Sequence, residues 1–320
     1  QQHGLYRVAY EAEHLAALGK QLRQGNMSAL DAAGIVQDLF ALVVAARVPF
    51  TTYLRFVERY CLDAAYPLNM SISGHLGWFY RLGYGQKIAG AVERTSRAFH
   101  RAQLRTLGWE RSPTEKNTIT MMRSAAIASL GQLGEKDVLD HALQLYARLR
   151  QGDKSVDTNL RGVVYALVAW QGDERTYREL LELYKKEQVP EENRKLLRSL
   201  GLFQDKKLLQ KALDLSQSST VRLQDSIIIP LTMAGNPFGN GLLWGWTKQQ
   251  WPRLMKKYMH GTHMLNVFVQ NLTFVHDTAT EREVRTFFAR KEHRRDDIKR
   301  PVEQTLERIA INRQFMQKNG

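Results

Sequence analysis

From Glu11 onward, apolar residues recur at helical spacing in one segment after another, with only short turns between them. No stretch after Tyr10 alternates apolar and polar residues as a strand would. A single amphipathic helix cannot bury its apolar stripe alone, so a chain of this kind must pair its helices and stack the pairs. Proline, which would break such segments, is scarce, at 8 of 320 residues. The pattern therefore predicts an all-α fold, a curved stack of helical hairpins resembling HEAT or armadillo superhelices. The implied repeat is loosely about 30 to 40 residues, without a repeated residue signature.

Local signals place the first helices. Periodicity starts near Glu11 and runs to Arg23. Ser28 can cap the next helix, with Asp31 beside the helix N-terminus. A further helix begins near Thr51, and two longer patterns lie between Gly74 and Leu107. Ser112-Pro113-Thr114-Glu115 reads as a helix start, with a capping serine, proline at the first helical position and glutamate three residues after the cap.

Helices are then expected at Glu115–Leu130, Lys136–Arg150, Asn159–Trp170, Glu174–Glu187, Glu191–Leu200 and Lys206–Leu215, with Gly134, Gly152 and Gly172 in turns. From Val221 to Trp251, a short apolar helix pattern breaks at Gly235-Asn236-Pro237 and resumes as a segment carrying Trp244, Trp246 and Trp251. Proline drives Asn236 out of the helical region, so Gly235 to Gly241 reads as a helix-to-helix turn.

Composition excludes several functions. One cysteine, Cys61, rules out a disulfide framework and a cysteine-based zinc site, and its apolar surroundings mark it as a core residue. No apolar run reaches the roughly 18 to 20 residues of a membrane helix, so no membrane insertion is expected. The start, Gln1-Gln2-His3-Gly4, has no signal-peptide pattern, and the missing initiator methionine suggests an excised fragment.

A net charge of +14, with basic residues concentrated from Arg282 to Arg300, permits acidic partners. No nucleic-acid module accompanies that charge, and no nucleic-acid partner is expected. No H-E-x-x-H, Walker loop, G-x-S-x-G or dinucleotide fingerprint occurs. His260 and His263 are three apart but lack a third ligand, so they read as surface histidines. The chain offers no catalytic residues, no metal site and no cofactor site.

Several short motifs nevertheless match a known pattern in chain order. Gly4-Leu5-Tyr6-Arg7-Val8-Ala9-Tyr10 resembles the G-x-Y-R-V-x-Y entry to the C-terminal helical domain of zinc aminopeptidases of the puromycin-sensitive and endoplasmic-reticulum type. Asp38-Leu39-Phe40-Ala41-Leu42 is similar to D-x-F-A-L, Leu107-Gly108-Trp109 to L-G-W, and Asn159 to Tyr165 to N-L-R-x-x-V-Y. Val221 to Asp225 matches V-R-x-Q-D, Asn236-Pro237 with Trp244 the N-P turn and tryptophan helix, and Glu307, Ile309 and Asn312 the closing E-x-I-x-x-N. Phe315 stands where that closing helix usually has tryptophan, and Gly235 and Gly239 stand where some relatives carry a charge beside the N-P pair.

The resemblance implies that residues 1–320 are a single non-catalytic C-terminal domain. In the family this domain covers the catalytic cleft, encloses the peptide and gates its access. It implies a parent that releases N-terminal amino acids with one zinc ion, bound in a catalytic domain outside this chain. The implied partners are that catalytic domain and the peptide substrate, and a cytoplasmic location follows the family's cytosolic branch.

The resemblance also suggests peptide-carboxylate binding by Tyr80 and Arg81, since some relatives use a tyrosine-basic pair at the similar place. Arg161, Arg222 and Asp225 are expected in ion pairs between hairpins. Two other readings remain: a freestanding helical-repeat scaffold binding a protein on its concave face, and a basic solenoid for nucleic acid.

Overall fold

The computed structural model describes residues 7–258, 262–273 and 276–320. Gly4, Leu5, Tyr6 and His260 therefore lie outside the described residues. Among the described residues the chain is all-helical, without strands. The first helices are α1 (Ala12–Arg23), α2 (Ala29–Val44), α3 (Phe50–Tyr60), α4 (Leu68–Gly83), α5 (Ala89–Leu107), α6 (Asn117–Gln132) and α7 (Lys136–Arg150). There follow α8 (Thr158–Trp170), α9 (Glu174–Lys186), α10 (Pro190–Leu200), α11 (Lys206–Gln217) and α12 (Ile228–Ala234). The last are α13 (Asn240–Lys257), α14 (Thr262–Gln270), α15 (Thr278–Ala289) and α16 (Lys299–Asn319).

Packing divides the chain into two compact units. The first comprises Gln1–His141 with Gln314–Gly320, and the second Ala142–Arg313. In the first unit each helix packs on the next but one: α1 on α3 and α3 on α5, α2 on α4 and α4 on α6. This is the two-layered order of stacked hairpins. Its core is built from fully buried Val36, Tyr53, Ile72, Leu76, Phe79 and Phe99. Phe315 joins it through edge-on contacts with Trp78 and Phe50, at centroid distances of 5.2 and 5.9 Å. Phenylalanine at the family's tryptophan position thus still fills an aromatic cluster.

In the second unit α8, α10 and α12 form a similar succession, with α9 on α10 and α11 on α12. Leu197, Leu200, Phe203, Leu209 and Ile229 are buried completely there. Each such side chain contributes roughly 1.5–3 kcal/mol relative to exposure. Cys61, at the end of α3, is buried in the first unit, and burial pushes its thiol up to about 12, as fits a packing residue.

Most expected boundaries agree with the structure to within two residues. Ser28 caps α2, its hydroxyl accepting from the Asp31 amide at 3.1 Å and donating to the Asp31 carboxylate at 2.7 Å. Gly134 and Gly152 take positive φ of 81° and 80°, the left-handed turn that glycine tolerates. The start at Ser112-Pro113-Thr114-Glu115 is different. Residues 113–114 form a turn, and α6 begins at Asn117 after Lys116, without a side-chain cap. Glu115 is diverted to a buried arginine, Arg123, whose charge competes more strongly for the carboxylate than a backbone amide does.

Candidate functional site

The recognised motifs mark places where a polar side chain holds a loop. Asp38, fully buried on α2, accepts from the Arg7 guanidinium at 3.0 Å and from the Val8 amide at 3.4 Å. The entry motif and the D-x-F-A-L helix are therefore two halves of one contact. Arg123, 1% exposed, donates to both Glu115 oxygens at 2.6 Å. It also donates to the carbonyls of Leu107 and Gly108 at 2.9 Å. Gly108, at φ 61° and ψ −171°, occupies a region essentially restricted to glycine, which explains the middle residue of L-G-W.

Asn236 has the same role in the second unit. It is fully buried, and its amide donates to the carbonyls of Gly201 and Phe203 at 3.1 and 2.8 Å. Its own oxygen accepts from the Phe238 amide at 3.0 Å. One side chain thus shapes the N-P turn and ties it to the loop after α10. Asn236→Ala removes three hydrogen bonds and strands two buried carbonyls, so a loss of about 2–4 kcal/mol is expected in chemical denaturation. A loss below about 0.5 kcal/mol would contradict this account.

Among the described residues Arg161 and Arg222 do not make the expected ion pairs. Arg161 donates instead to the backbone carbonyls of Val156 and Lys154, stabilising the loop before α8. Asp225 pairs with Arg194 of α10 at 3.2 Å, an ion pair between separate elements of the kind expected. Asp225 stands just before α12, which packs directly on α10.

Tyr80 and Arg81 both lie near the end of α4. Adjacent helical residues project about 100° apart, so the pair does not share one face. The Tyr80 ring packs partly into the first unit's core and stands edge-on to Tyr84 at 5.7 Å. Its hydroxyl donates to the Gln132 carbonyl at 3.5 Å, and burial raises its pKa well above the ordinary phenol value. Arg81 is half-buried and lies back along its helix over Gly77. A β-carbon at Gly77 would stand 3.1 Å from its Nη1, so glycine leaves room for the guanidinium. Burial lowers the Arg81 pKa.

Two open clefts in the second unit complete the candidate surface. One, of about 500 Å³, lies between the end of α14 and the exposed side of α16, lined by Gln270, Asn271, Gln304, Glu307 and Arg308. Glu307 of the closing motif is on its wall, whereas Ile309 and Asn312 are buried. The other, of about 350 Å³, lies within the basic stretch noted in the sequence. Cleft walls assembled from separate turns have no spacing signature, and only the second had a signal, its local charge.

Among the described residues no group of three or more histidine, cysteine, aspartate or glutamate side chains could hold a metal ion. Among them, too, no helix is long and apolar enough to cross a membrane.

Comparison with known proteins agrees with the motif order. The profile of the ERAP1-like C-terminal domain matches residues 1–311. Aminopeptidase 2 of Candida albicans is 26% identical over 298 residues, covering 92% of this chain and 32% of that protein. Aminopeptidase M1-B of Oryza sativa subsp. japonica is 25% identical over 331 residues, covering 99% and 36%. Glutamyl aminopeptidase of Rattus norvegicus is 25% identical over 324 residues, covering 99% and 34%. The chain spans about a third of the length of these relatives. With a profile match over nearly its whole length, the all-helical fold and the motif residues at its loop ties, this chain belongs to the ERAP1-like C-terminal domain family.

Proposed function

We infer that the chain is the non-catalytic C-terminal domain of a zinc aminopeptidase, where it covers the catalytic cleft, encloses the peptide and gates its entry. The observation that carries this reading is coverage: nearly the whole chain matches, but only about a third of each aminopeptidase. The remaining two thirds of such a protein would supply the zinc and the chemistry. Stacked hairpins suit an enclosing wall, because successive repeats present a continuous surface without needing a separate core for each.

The test compares the parent enzyme with and without this domain on peptides of increasing length. Deletion is expected to flatten the dependence of kcat/KM on length, and an unchanged length profile would remove the enclosing role. The isolated chain is expected not to hydrolyse an aminoacyl fluorogenic substrate. Chelator-sensitive hydrolysis by the pure chain would overturn the assignment.

Within this reading, Tyr80 and Arg81 bind the peptide's C-terminal carboxylate. Arginine can grip a carboxylate with two parallel hydrogen bonds, and a phenol can add a third. Their divergence on α4 means that the peptide end would have to lie across the helix end to meet both. Arg81→Ala is expected to reduce the preference for free-acid over amidated peptide by about tenfold, the effect of roughly 1.4 kcal/mol from a charge-assisted bond. An unchanged preference in a peptide titration would remove both residues from the site.

A further inference from the structure

The stretch from Arg290 to Glu303 forms two 3₁₀ turns, Lys291–His293 and Asp296–Ile298, leading into α16. The cleft of about 350 Å³ lies here. Its floor is apolar, made by Phe288, Ile298 and Val302, of which Phe288 and Ile298 are buried. The surrounding turn is held in shape from below. The His293 ring stacks on Phe287 at 3.9 Å and donates through Nδ1 to the Phe287 carbonyl at 2.8 Å. Arg295 is spent on Asp297 through a bidentate pair at 2.9 and 2.6 Å.

The remaining cations are not spent. Arg294 and Lys299 stand in the cleft wall, while Arg290 and Lys291 precede it and Arg300 lies in the first turn of α16, all exposed. None of these five makes an ion pair with a carboxylate among the described residues, and they outnumber the local unpaired acids Glu292, Asp296 and Glu303. A second observation points the same way. The first turn of α16 carries Lys299 and Arg300 and no acidic residue. Cations at the positive end of a 21-residue helix are the reverse of the favourable arrangement, and an incoming carboxylate would relieve it.

We propose that this cleft binds an acidic segment of polypeptide, with an apolar side chain on the Phe288–Ile298–Val302 floor and carboxylates on Arg294, Lys299 and the flanking cations. The composition of the wall selects a peptide over other anions. Asp296 and Glu303 in the wall would repel a continuous phosphate backbone, but can accept from peptide amides. The two rings in the lining are already engaged, Phe288 buried in the floor and the half-buried His293 stacked on Phe287, which leaves little for a nucleic-acid base to stack on. The site does not depend on the aminopeptidase reading, because it rests on this chain's own surface.

Fluorescence polarisation of the full 320-residue chain tests it. The probes are a labelled peptide in which aspartate and glutamate flank two leucines, and its asparagine–glutamine counterpart. The acidic peptide is expected to bind more tightly, with affinity falling as salt rises. The double variant Arg294→Gln with Lys299→Gln is expected to weaken it by about tenfold. The control pair Lys20→Gln with Lys185→Gln, exposed elsewhere and equal in charge change, is expected to weaken it by less than about twofold.

Equal binding of the two peptides, equal losses in the two double variants, or no binding up to about 1 mM would each overturn the proposal. Displacement of the peptide by a more tightly bound single-stranded oligonucleotide or phosphatidylserine vesicle would overturn the choice of partner.

Discussion

Arg123→Ala is expected to destabilise the first unit by about 3–5 kcal/mol, the largest effect of any single side chain in it. The guanidinium is 1% exposed and holds five contacts: two to Glu115 and three to the carbonyls of Leu107 and Gly108. Truncation leaves the Glu115 carboxylate without its cation and two loop carbonyls without donors. Each deficit carries a desolvation cost that the pair previously offset. Arg123→Lys should recover little, because an ammonium cannot reproduce the planar fork that spans the carboxylate and the turn. Urea unfolding of the single variants, Glu115→Ala and the double variant would measure the coupling, and additive losses would contradict this geometry.

Acid should unfold the protein in two stages. His100, fully buried on α5, donates through Nδ1 to the Ser96 carbonyl at 2.8 Å and lies 3.1 Å from the Ser73 hydroxyl through Nε2. His75 on α4 stacks on Phe40 at 3.8 Å and is 2.9 Å from the Tyr53 hydroxyl. Burial lowers both imidazoles to about 4. Between pH about 6.5 and 4 the unfolded chain therefore binds more protons than the folded one, so stability falls as pH falls through this window.

Each tenfold difference in proton affinity between the folded and unfolded chain is worth about 1.4 kcal/mol, which makes the first-stage loss on the order of a few kcal/mol. The second stage belongs to Glu115, whose bonds to Arg123 hold its carboxyl at about 2. Its contribution is present above the ordinary glutamate value and is lost as pH falls towards 2. His100→Gln should shrink the first stage only, and a pH–stability curve flat from 7 to 4 would refute the assignment.

The helical skeleton was legible because each helix carries its own period and caps. Lys136–Arg150 agrees at both ends, and Ser28 caps α2 as its position implies. Sequence reading failed where a distant residue decided the outcome. Glu115 has the spacing of a capping glutamate, but a buried guanidinium eight positions ahead takes its carboxylate.

The motifs identified the family correctly, but their residues proved to tie loops, as Asp38, Gly108 and Asn236 show. The clefts were the least legible, since their walls come from side chains that are adjacent only after folding. Tyr80 and Arg81 came from the resemblance and not from any spacing signal, and helix geometry turns the two side chains about 100° apart.

The last turns of α16 have a temporal consequence. Phe315 and Met316 belong to the core of the first unit, and Lys318 donates to the Ala46 carbonyl, 272 positions earlier. Most other ties join residues fewer than forty apart, so hairpins can dock soon after they are synthesised. The first unit cannot follow that schedule to its end. It must wait, with an apolar face still uncovered, until the last turns of α16 have been made. Chains stopped short of Phe315 should therefore be degraded through the helices of the first unit.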